Sequence, residues 1–444
     1  MDEILSLLFL KFLTLKKAAK SPLPPQYGEE KMNKQLPENS PAPFFSIIIP
    51  SYNNGSYLQK CIQSLQRQSF KDWEAIIVID ASPDNAFHIA SQLAEKDNRI
   101  LIINKPQNEG THLARKSGVE RARGSYALFL DADDELTNNA LASLSVLASQ
   151  QSFDVLHFGT ELFGENMPES TCSDILQLSN RDLPTLHGQE IVLSSFTDSE
   201  NHRQDWRILQ RLYRTGLLKE SFKCMSNSRL GRGQDSYEWL VIASLADTEV
   251  FHNEVIGYRY YLGRGITTFQ PMSKQKFVSL SSNYGLLLHT VSEYASNFSR
   301  FDLSPCVTEL RRRLLEMLFG DWYVRLSDED KVSVLNSMQA DFTHMEIATE
   351  LMRLTRDDAY SHWDSGDSFD KNARYVHWEN IAESLAGSNS NPQYEEYRRQ
   401  ALRHFSDLQT RLPKPKQTTH FSFQKCGLLL SRIKKLFFSS QRNK

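Results

Sequence analysis

Four acidic residues follow directly on an apolar run in the stretch GSYALFLDADDE, residues 124–135. The run YALFL is rich in aromatic and branched residues and predicts a short buried strand. Carboxylates crowded at a strand end raise one another's pKa unless a cation relieves the repulsion, and their oxygens suit Mg²⁺ or Mn²⁺. Asp131 and Asp133 lie on the same side of an extended segment, so this triplet predicts a metal site shared with substrate phosphates. For Asp134 and Glu135, an acidic start to the following helix is the alternative.

The acidic stretch follows the last of four apolar, strand-like runs. These runs are SIIIP near Ile48, AIIVID near Ile77, ILIIN near Ile102 and YALFLD near Phe129. Segments with helical periodicity separate them, and this alternation predicts βαβ units and a largely parallel sheet. Such sheets bind their ligands beyond the carboxyl ends of the strands. Asp80, Asp131 and the turn after Ile49 all follow predicted strand ends, so we expect them at one edge of the sheet.

The composition is that of a globular protein with a substantial core, since 40% of the 444 residues are hydrophobic and 24% are charged. This length predicts two or more domains. The formal net charge of −3 provides no basic field, so we expect no nucleic-acid partner. The five cysteines are scattered without CxxC spacing. That pattern favours neither a disulfide framework nor a zinc site and is typical of a reducing cytoplasm.

Changes in composition divide the chain into four segments. They are an amphipathic segment with a Pro-rich linker at 1–42, an α/β domain at 43–273, a mainly helical region at 274–410 and a basic amphipathic tail at 411–444. The first apolar run is shorter than the roughly 20 residues of a spanning helix, which leaves open a membrane-surface helix and a helix packed on the protein's own core. The tail has the pattern of a basic interfacial helix, with a solvated tail as the alternative. Both termini are therefore candidates for peripheral membrane contact.

Several short motifs occur in continuous order between residues 43 and 144. They are Pro50-x-Tyr52-Asn53, the turn Asp80-x-Ser82, ARKSG with Arg115, and the DxD triplet Asp131-Ala132-Asp133. Together they closely resemble the nucleotide-sugar domain of family 2 glycosyltransferases of the bacterial surface-glycan type, which have the GT-A fold. The stretch GRGQDSYEW more weakly resembles the family's Gly-Glu-Asp motif, with Gln234 in place of the glutamate. The chain departs from the family's Asp-Asp-Gly-Ser at Ile79 and Ala81, and its sequence lacks the QxxRW motif of processive synthases.

The resemblance implies a GT-A, Rossmann-like α/β fold: a mixed, mostly parallel sheet with flanking helices, followed by the helical region. It implies a non-processive, inverting hexosyltransferase that moves a sugar from a nucleotide-sugar, with UDP-sugars first, to a hydroxyl of a glycan or lipid-linked glycan precursor of the cell envelope. The enzyme is expected in the cytoplasm, with attachment to the inner face of the membrane as an extension.

The resemblance also assigns roles to individual residues, position by position. Nucleotide-sugar binding falls to Pro50, Tyr52, Asn53, Asp80, Arg115, Asp131 and Ala132, the metal (Mg²⁺ or Mn²⁺) to Asp133, and general-base catalysis to Asp235. In this scheme Tyr52 lies against the nucleobase and Asp80 accepts a hydrogen bond from the ring N–H of that base.

Each assignment has an alternative from the residues alone. Asp235 can instead cap the helix SYEWLVIASLA, and Arg115 can be a solvated helix residue. Arg259 and Arg264 either steady a diphosphate or form surface pairs, and His252 is either a metal ligand or structural. For the whole protein, the alternatives are a non-catalytic nucleotide-sugar-binding module and a nucleotidyltransferase. The latter needs a basic, Gly-rich phosphate loop, whereas PSYNNGSY contains no lysine or arginine.

Overall fold

The computed structural model describes residues 41–164, 169–197, 204–264 and 270–410. The predicted N-terminal amphipathic segment, nearly all of the Pro-rich linker and the basic tail lie outside these residues. Among the helices within them, none has the length and apolar character that crossing a bilayer requires.

A single mixed sheet forms the centre of the α/β part. The strands in the described residues are β1 (Phe45–Ser51), β2 (Trp73–Ile79), β3 (Ile100–Asn104), β4 (Tyr126–Phe129), β5 (Glu135–Leu136), β6 (Val155–Gly164), β7 (Leu186–His187), β8 (Arg211–Arg214) and β9 (Thr248–Leu262). Their order is β3-β2-β1-β4-β8-β6-β9-β5, with β7 beside β9. Strands β1 to β4, β6 and β9 share one direction, and β5, β7 and β8 oppose them. The predicted α/β class with a mixed, mostly parallel sheet is confirmed.

Helices flank the sheet and then form a region of their own. Around the sheet lie α1 (Gly55–Gln66), α2 (Ala86–Lys96), α3 (Thr111–Arg121), α4 (Ala140–Gln150), α5 (Glu169–Ser179), α6 (Gln189–Leu193), α7 (Thr215–Cys224) and α8 (Gln234–Leu245). The helical region contains α9 (Lys274–Asn297), α10 (Ser304–Arg325), α11 (Asp328–Met338), α12 (His344–Asp364), α13 (Arg374–Ala386) and α14 (Pro392–Gln409).

The central strands align their carboxyl ends. Every residue of β1 and β2 is buried, as expected for strands of a parallel sheet that helices cover on both faces. Ser51 pairs with Ile79, and Ile48 pairs with Phe129, so β1, β2 and β4 end at the same edge. The polar residues just past these ends are Tyr52, Asp80 and Asp131.

The helical region packs onto the α/β part through one continuous hydrophobic core. The predicted apolar stripe of α10 is confirmed, since Leu310, Leu314, Leu318 and Trp322 are fully buried. Helix α9 begins at Lys274, where the sequence analysis starts the helical region. The division into domains stays a prediction. The buried core contains residues from both sides of the predicted boundary at residue 273.

Candidate active site

The acidic stretch after β4 separates into two kinds of carboxylate. The side chain of Asp133 is half-buried, and burial together with the charge of Asp131 raises its pKa to about 6. Asp134 is buried, and its carboxylate accepts hydrogen bonds from the Tyr258 hydroxyl and the Tyr261 N–H, both at 2.8 Å. The first two aspartates therefore face the edge of the sheet, whereas the third ties the stretch to β9.

The alternative of an acidic helix start is wrong for Asp134 and Glu135. Glu135 begins β5, which pairs with β9, and α4 starts only at Ala140. The Glu135 carboxylate instead forms an ion pair with Arg67 at 3.4 Å.

Arg115 of α3 lies at the centre of the site. Its side chain is 1% exposed, so the alternative of a solvated helix residue is wrong. Nη2 donates to Asp131 at 3.1 Å, and Nη1 donates to Asp235 at 2.5 Å and to Glu238 at 2.8 Å. One guanidinium thus joins the DxD triplet to the predicted base. Its predicted contact with a nucleotide stays a prediction.

Asp235 lies in the first turn of α8, and its side chain is 24% exposed. The N-cap of this helix is Gly233, so Asp235 is not the capping residue. Burial raises the pKa of Asp235, and the Arg115 charge opposes that effect without cancelling it. A partly exposed carboxylate whose pKa is raised in this way is suited to accept a proton.

The loop that precedes α8 is held by the helical region. Asn283 of α9 accepts from the Gly231 N–H at 2.6 Å and donates to the Arg232 carbonyl oxygen at 3.0 Å. The Arg232 side chain forms an ion pair with Asp321 of α10. Gly233 has a φ of +96°, which favours glycine, and a Cβ there would lie 3.1 Å from a methyl group of Leu287. We call these contacts of Asn283, Asp321 and Leu287 the loop clamp.

On the predicted nucleotide side, Tyr52 is 49% exposed, whereas Asp80 is buried. The Asp80 carboxylate accepts from the backbone N–H groups of Glu109 at 3.0 Å and Gly110 at 2.7 Å. Asp80 thereby holds the turn that leads into α3. The hydrogen bond between Asp80 and a nucleobase stays a prediction. It would be the third bond to a carboxylate that already accepts two from the backbone.

The turn after β1 is shaped by Ser82, which the Asp80-x-Ser82 motif already includes, and by Asp84, which sequence reasoning missed. The Ser82 hydroxyl accepts from the Asn53 N–H at 2.7 Å and donates to Asp84 at 2.6 Å. Asp84 also accepts from the Gly55 N–H at 2.7 Å. Burial alone would raise the pKa of Asp84, but these hydrogen bonds lower it. Asn53 and Ala81 have φ values of +58° and +52°, so the family's glycine is replaced by alanine at a left-handed position.

Two further predicted residues lie in the interior. Pro50 is buried within β1, where it pairs with Val78 of β2. Ala132 is fully buried, and its predicted contact with the nucleotide-sugar stays a prediction.

His112 and Glu238 were also missed, and both are fully buried. His112 Nδ1 lies 2.8 Å from Glu238 Oε1, and His112 Nε2 lies 3.0 Å from the Ser226 carbonyl oxygen. The sequence does carry a signal for them. His112 precedes Arg115 by three residues on α3, and Glu238 follows Asp235 by three on α8, so each pair shares a helix face.

Arg259, Arg264 and His252 were weighed as ligands of a diphosphate or a metal, and each has a partner within the protein. The Arg264 guanidinium lies 3.6 Å from the Tyr261 ring centre and donates to the Asp133 carbonyl oxygen at 3.3 Å. Arg259 pairs with Glu161 at 2.6 Å. His252 Nδ1 lies 2.8 Å from Glu254 and its Nε2 lies 2.6 Å from the Gln151 side chain, and these two contacts favour the structural alternative.

The fit of a divalent ion rests on two carboxylates. In the ranges that the structure describes, no three His, Cys, Asp or Glu side chains come together as a metal-binding group. Asp133 and Asp131 nevertheless suit Mg²⁺ or Mn²⁺, because these ions often bind one or two carboxylates and take their other ligands from phosphates and water. Burial and, after it, the charge of Asp131 raise the pKa of Asp133, and a bound cation would offset both effects.

Comparison with known proteins shows what this part of the chain is similar to. A family model described as "Glycosyl transferase family 2" matches residues 46–169, which include β1 to β4, Arg115 and the DxD triplet. Over these residues the chain is similar to glycosyl transferase family 2, as its sequence resemblance predicts. Asp235 lies beyond the matched residues.

Individual relatives are similar over the same part. EpsJ of Bacillus subtilis, named an uncharacterized glycosyltransferase, is 38% identical over 117 residues, which are 26% of this chain and 34% of that protein. A Campylobacter jejuni protein named GalNAc(5)-diNAcBac-PP-undecaprenol beta-1,3-glucosyltransferase is 36% identical over 109 residues, 24% of this chain and 35% of that protein. The similarity thus spans about a third of these relatives' own lengths. A crystal structure of S. aureus TarS in complex with UDP-GlcNAc superposes with a TM-score of 0.48 and 16% identity, over 78% of this chain and 92% of that one.

Proposed function

We propose that this protein is a metal-dependent, inverting glycosyltransferase that moves a sugar from a nucleotide-sugar to a hydroxyl of a glycan or lipid-linked glycan precursor. The observation that carries the proposal is the single buried guanidinium of Arg115, which joins Asp131 to Asp235. A donor-side carboxylate and a candidate base thus share one rigid partner. The family of residues 46–169 and the printed name of the C. jejuni relative support the same reaction class.

The donor side of the reaction requires relief of negative charge. Asp133, with Asp131 beside it, would hold Mg²⁺ or Mn²⁺, and the bound ion would neutralise the charge that grows on the departing diphosphate. Tyr52 offers an exposed aromatic ring at the end of β1 on which a nucleobase can stack. We propose a UDP-sugar as the first donor to test.

The acceptor side requires a base. A sugar hydroxyl has a pKa far above 7, so it reacts well only when a positioned group takes its proton as it attacks. Asp235 is partly exposed and can accept that proton. Attack from the face opposite the diphosphate inverts the anomeric carbon, and no covalent enzyme intermediate is needed.

The direct test is a donor panel. The purified full chain is incubated with Mn²⁺ and UDP-, GDP- and dTDP-sugars, and released nucleotide is measured with and without glycan acceptors. We expect one nucleotide to be released faster than the others and more quickly with an acceptor. Absence of binding and of turnover with every donor would contradict the proposal, and binding without turnover would favour the non-catalytic binding module.

The proposed base has its own test in Asp235→Asn. We expect turnover to fall by about 10² to 10⁴-fold while UDP binding in Mn²⁺ is retained. Asp247→Asn is the matched control, because Asp247 follows the same helix, is 73% exposed and pairs with Arg300 at 2.5 Å. Unchanged turnover of Asp235→Asn would remove the assigned role.

We also propose peripheral attachment to the inner face of the membrane through 1–42 and 411–444, whose sequence patterns support it. Flotation of the full chain with vesicles that contain anionic lipids measures this directly. Replacing Lys434 and Lys435 by glutamate should reduce the bound fraction. Equal flotation of both proteins would argue against a basic interfacial tail.

A further inference from the structure

We infer that Glu238 and His112 are positioning residues, which hold the Arg115 guanidinium so that it aligns Asp131 and Asp235 for the reaction. The inference rests on the proposed function, because Asp235 is the group whose position matters. Neither Glu238 nor His112 is exposed, so both act through Arg115 and not on a substrate.

The Glu238 carboxylate is a bridge with both oxygens in use. Oε2 accepts from Arg115 Nη1 at 2.8 Å, and Oε1 lies 2.8 Å from His112 Nδ1. Arg115 Nη1 carries two protons, and these point to Asp235 and to Glu238. The direction of the bond to Asp235 is therefore fixed by the bond to Glu238.

His112 ties this bridge to the backbone. Its Nε2 lies 3.0 Å from the Ser226 carbonyl oxygen, which can only accept, so Nε2 carries a proton. The other ring nitrogen faces a carboxylate oxygen, so one further proton lies between Nδ1 and Oε1. This hydrogen bond ties the Glu238 carboxylate to the imidazole ring of His112.

The three carboxylates around Arg115 therefore differ in kind. Asp131 and Asp235 are 29% and 24% exposed, so their positions can change when ligands arrive. Glu238 is fully buried and has His112 behind it. An arginine side chain has several rotatable bonds, and among the three carboxylate contacts of Arg115 the one to Glu238 anchors it to a sealed part of the molecule.

The test is Glu238→Gln in the full chain, which keeps the size of the side chain and removes its charge. Glu74→Gln is the matched control. Glu74 is also buried and pairs with an arginine, Arg123 at 2.9 Å, but it lies at the start of β2, away from the candidate site. We expect kcat of Glu238→Gln to fall about 10- to 100-fold, with a smaller change in KM for the donor, and kcat of Glu74→Gln to stay near wild type.

Crystal structures of both variants supply a readout that does not depend on activity. In Glu238→Gln, Arg115 Nη1 should no longer lie within hydrogen-bond distance of Asp235, and in Glu74→Gln it should remain there. Wild-type kcat in Glu238→Gln, or an unmoved Arg115, would overturn the inference. An equal loss of kcat in both variants would overturn it too, because the effect would then be general destabilisation.

The two proposals fail in different ways. If the wild-type protein transfers no sugar, the proposed function fails, and the position of Arg115 in the Glu238→Gln crystal still decides the positioning claim. Should Glu238→Gln not fold, His112→Asn removes only the outer link and takes its place. We expect kcat of His112→Asn to fall as well, but by a smaller factor than in Glu238→Gln. Wild-type kcat with Arg115 unmoved would count against the inference.

Discussion

Two arginines are buried against the same sheet, and they differ in whether their carboxylate partners are exposed at the carboxyl edge of that sheet. Arg115 is 1% exposed and Arg211 is not exposed at all. The partners of Arg115 include Asp131 and Asp235, which open onto the carboxyl edge of the sheet. Arg211 pairs with the fully buried Glu249 at 3.4 Å and, more distantly at 3.9 Å, with Asp205, which is 14% exposed and lies away from that edge. A buried arginine with partly exposed carboxylates is therefore a candidate for function, whereas a sealed one indicates structure.

The surroundings of Arg211, which we call the sealed network, show what burial alone does. Glu249 accepts from Gln204 at 2.8 Å, and burial raises the pKa of Glu249 to about 7. His157 lies 2.8 Å from Asn253 and 3.1 Å from Gln210. Burial and the Arg211 charge lower the pKa of His157 to about 3. These shifts are as large as that of Asp133, yet none of the groups opens onto the candidate site.

The largest expected effect comes from removing each arginine in turn. Arg115→Met and Arg211→Met each leave buried carboxylates without a cation, so each should lower the free energy of unfolding by about 3–5 kcal/mol. Turnover per folded molecule should fall at least about 100-fold in Arg115→Met alone. Urea unfolding and a nucleotide-release assay measure the two quantities. An equal loss of turnover in Arg211→Met would break the comparison.

The next effect separates two neighbouring aspartates at the edge. Asp133→Asn should weaken UDP binding in Mn²⁺ by roughly tenfold or more, because a charge-assisted contact to the ion is lost. Asp134→Asn should leave that Kd unchanged and lower the free energy of unfolding by about 1–3 kcal/mol, since Asp134 accepts from Tyr258 and Tyr261. Calorimetric titration and urea unfolding test both statements, and the reverse pattern would contradict the assignment.

Within the sealed network, His157 should lower the stability of the folded protein in acid. His157 is neutral in the folded protein down to about pH 3, whereas the unfolded chain binds its proton near pH 6.5. Through His157 the unfolded state therefore binds more protons between these values, so the contribution of His157 to the free energy of unfolding falls as the pH falls, whereas the raised pKa of Glu249 acts in the opposite direction. Between pH 6.5 and 5, wild type should lose about 1–2 kcal/mol more than His157→Gln. His88→Gln, at an exposed position on α2, should behave as wild type; equal losses in all three proteins would refute the prediction.

The smallest effect compares two left-handed residues. Ala81 lies beside the site with a φ of +52°, and Gln210 lies in the sealed network with a φ of +53°. Ala81→Gly should raise the free energy of unfolding by up to about 1 kcal/mol, because glycine adopts this conformation without strain. Gln210→Gly should lower it, because Gln210 donates to the Ser179 carbonyl oxygen at 2.8 Å. Stabilisation by both changes would show that the side chain of Gln210 contributes little.

The sequence predicts the central strands well, because each is a continuous apolar run buried on both faces. It also places Tyr52, Asp80 and Asp131 at one edge, since strand ends in a parallel sheet coincide. It does not predict which way a carboxylate at that edge points. Asp80 turns towards the N–H groups of residues 109 and 110, a choice that depends on how the loop closes.

The ionic contacts around Arg115 were beyond sequence reasoning for a different reason. His112 and Glu238 are 126 residues apart, and the contact exists only because α3 and α8 pack together. The acidic stretch likewise reads as one cluster in the sequence. Tyr258, 124 residues away from Asp134, converts one member of that cluster into a structural group.

The loop clamp limits how this protein can be recombined with its relatives. The family match ends at residue 169, yet the loop that leads into the helix of Asp235 is held by Asn283 and Asp321. A chimera that exchanged only the matched segment would take the proposed donor-binding half from one parent and the scaffold of the proposed base from the other. We therefore expect that the smallest exchangeable unit of this protein includes the loop clamp, so that a working graft must carry helices α9 and α10 along with the sheet.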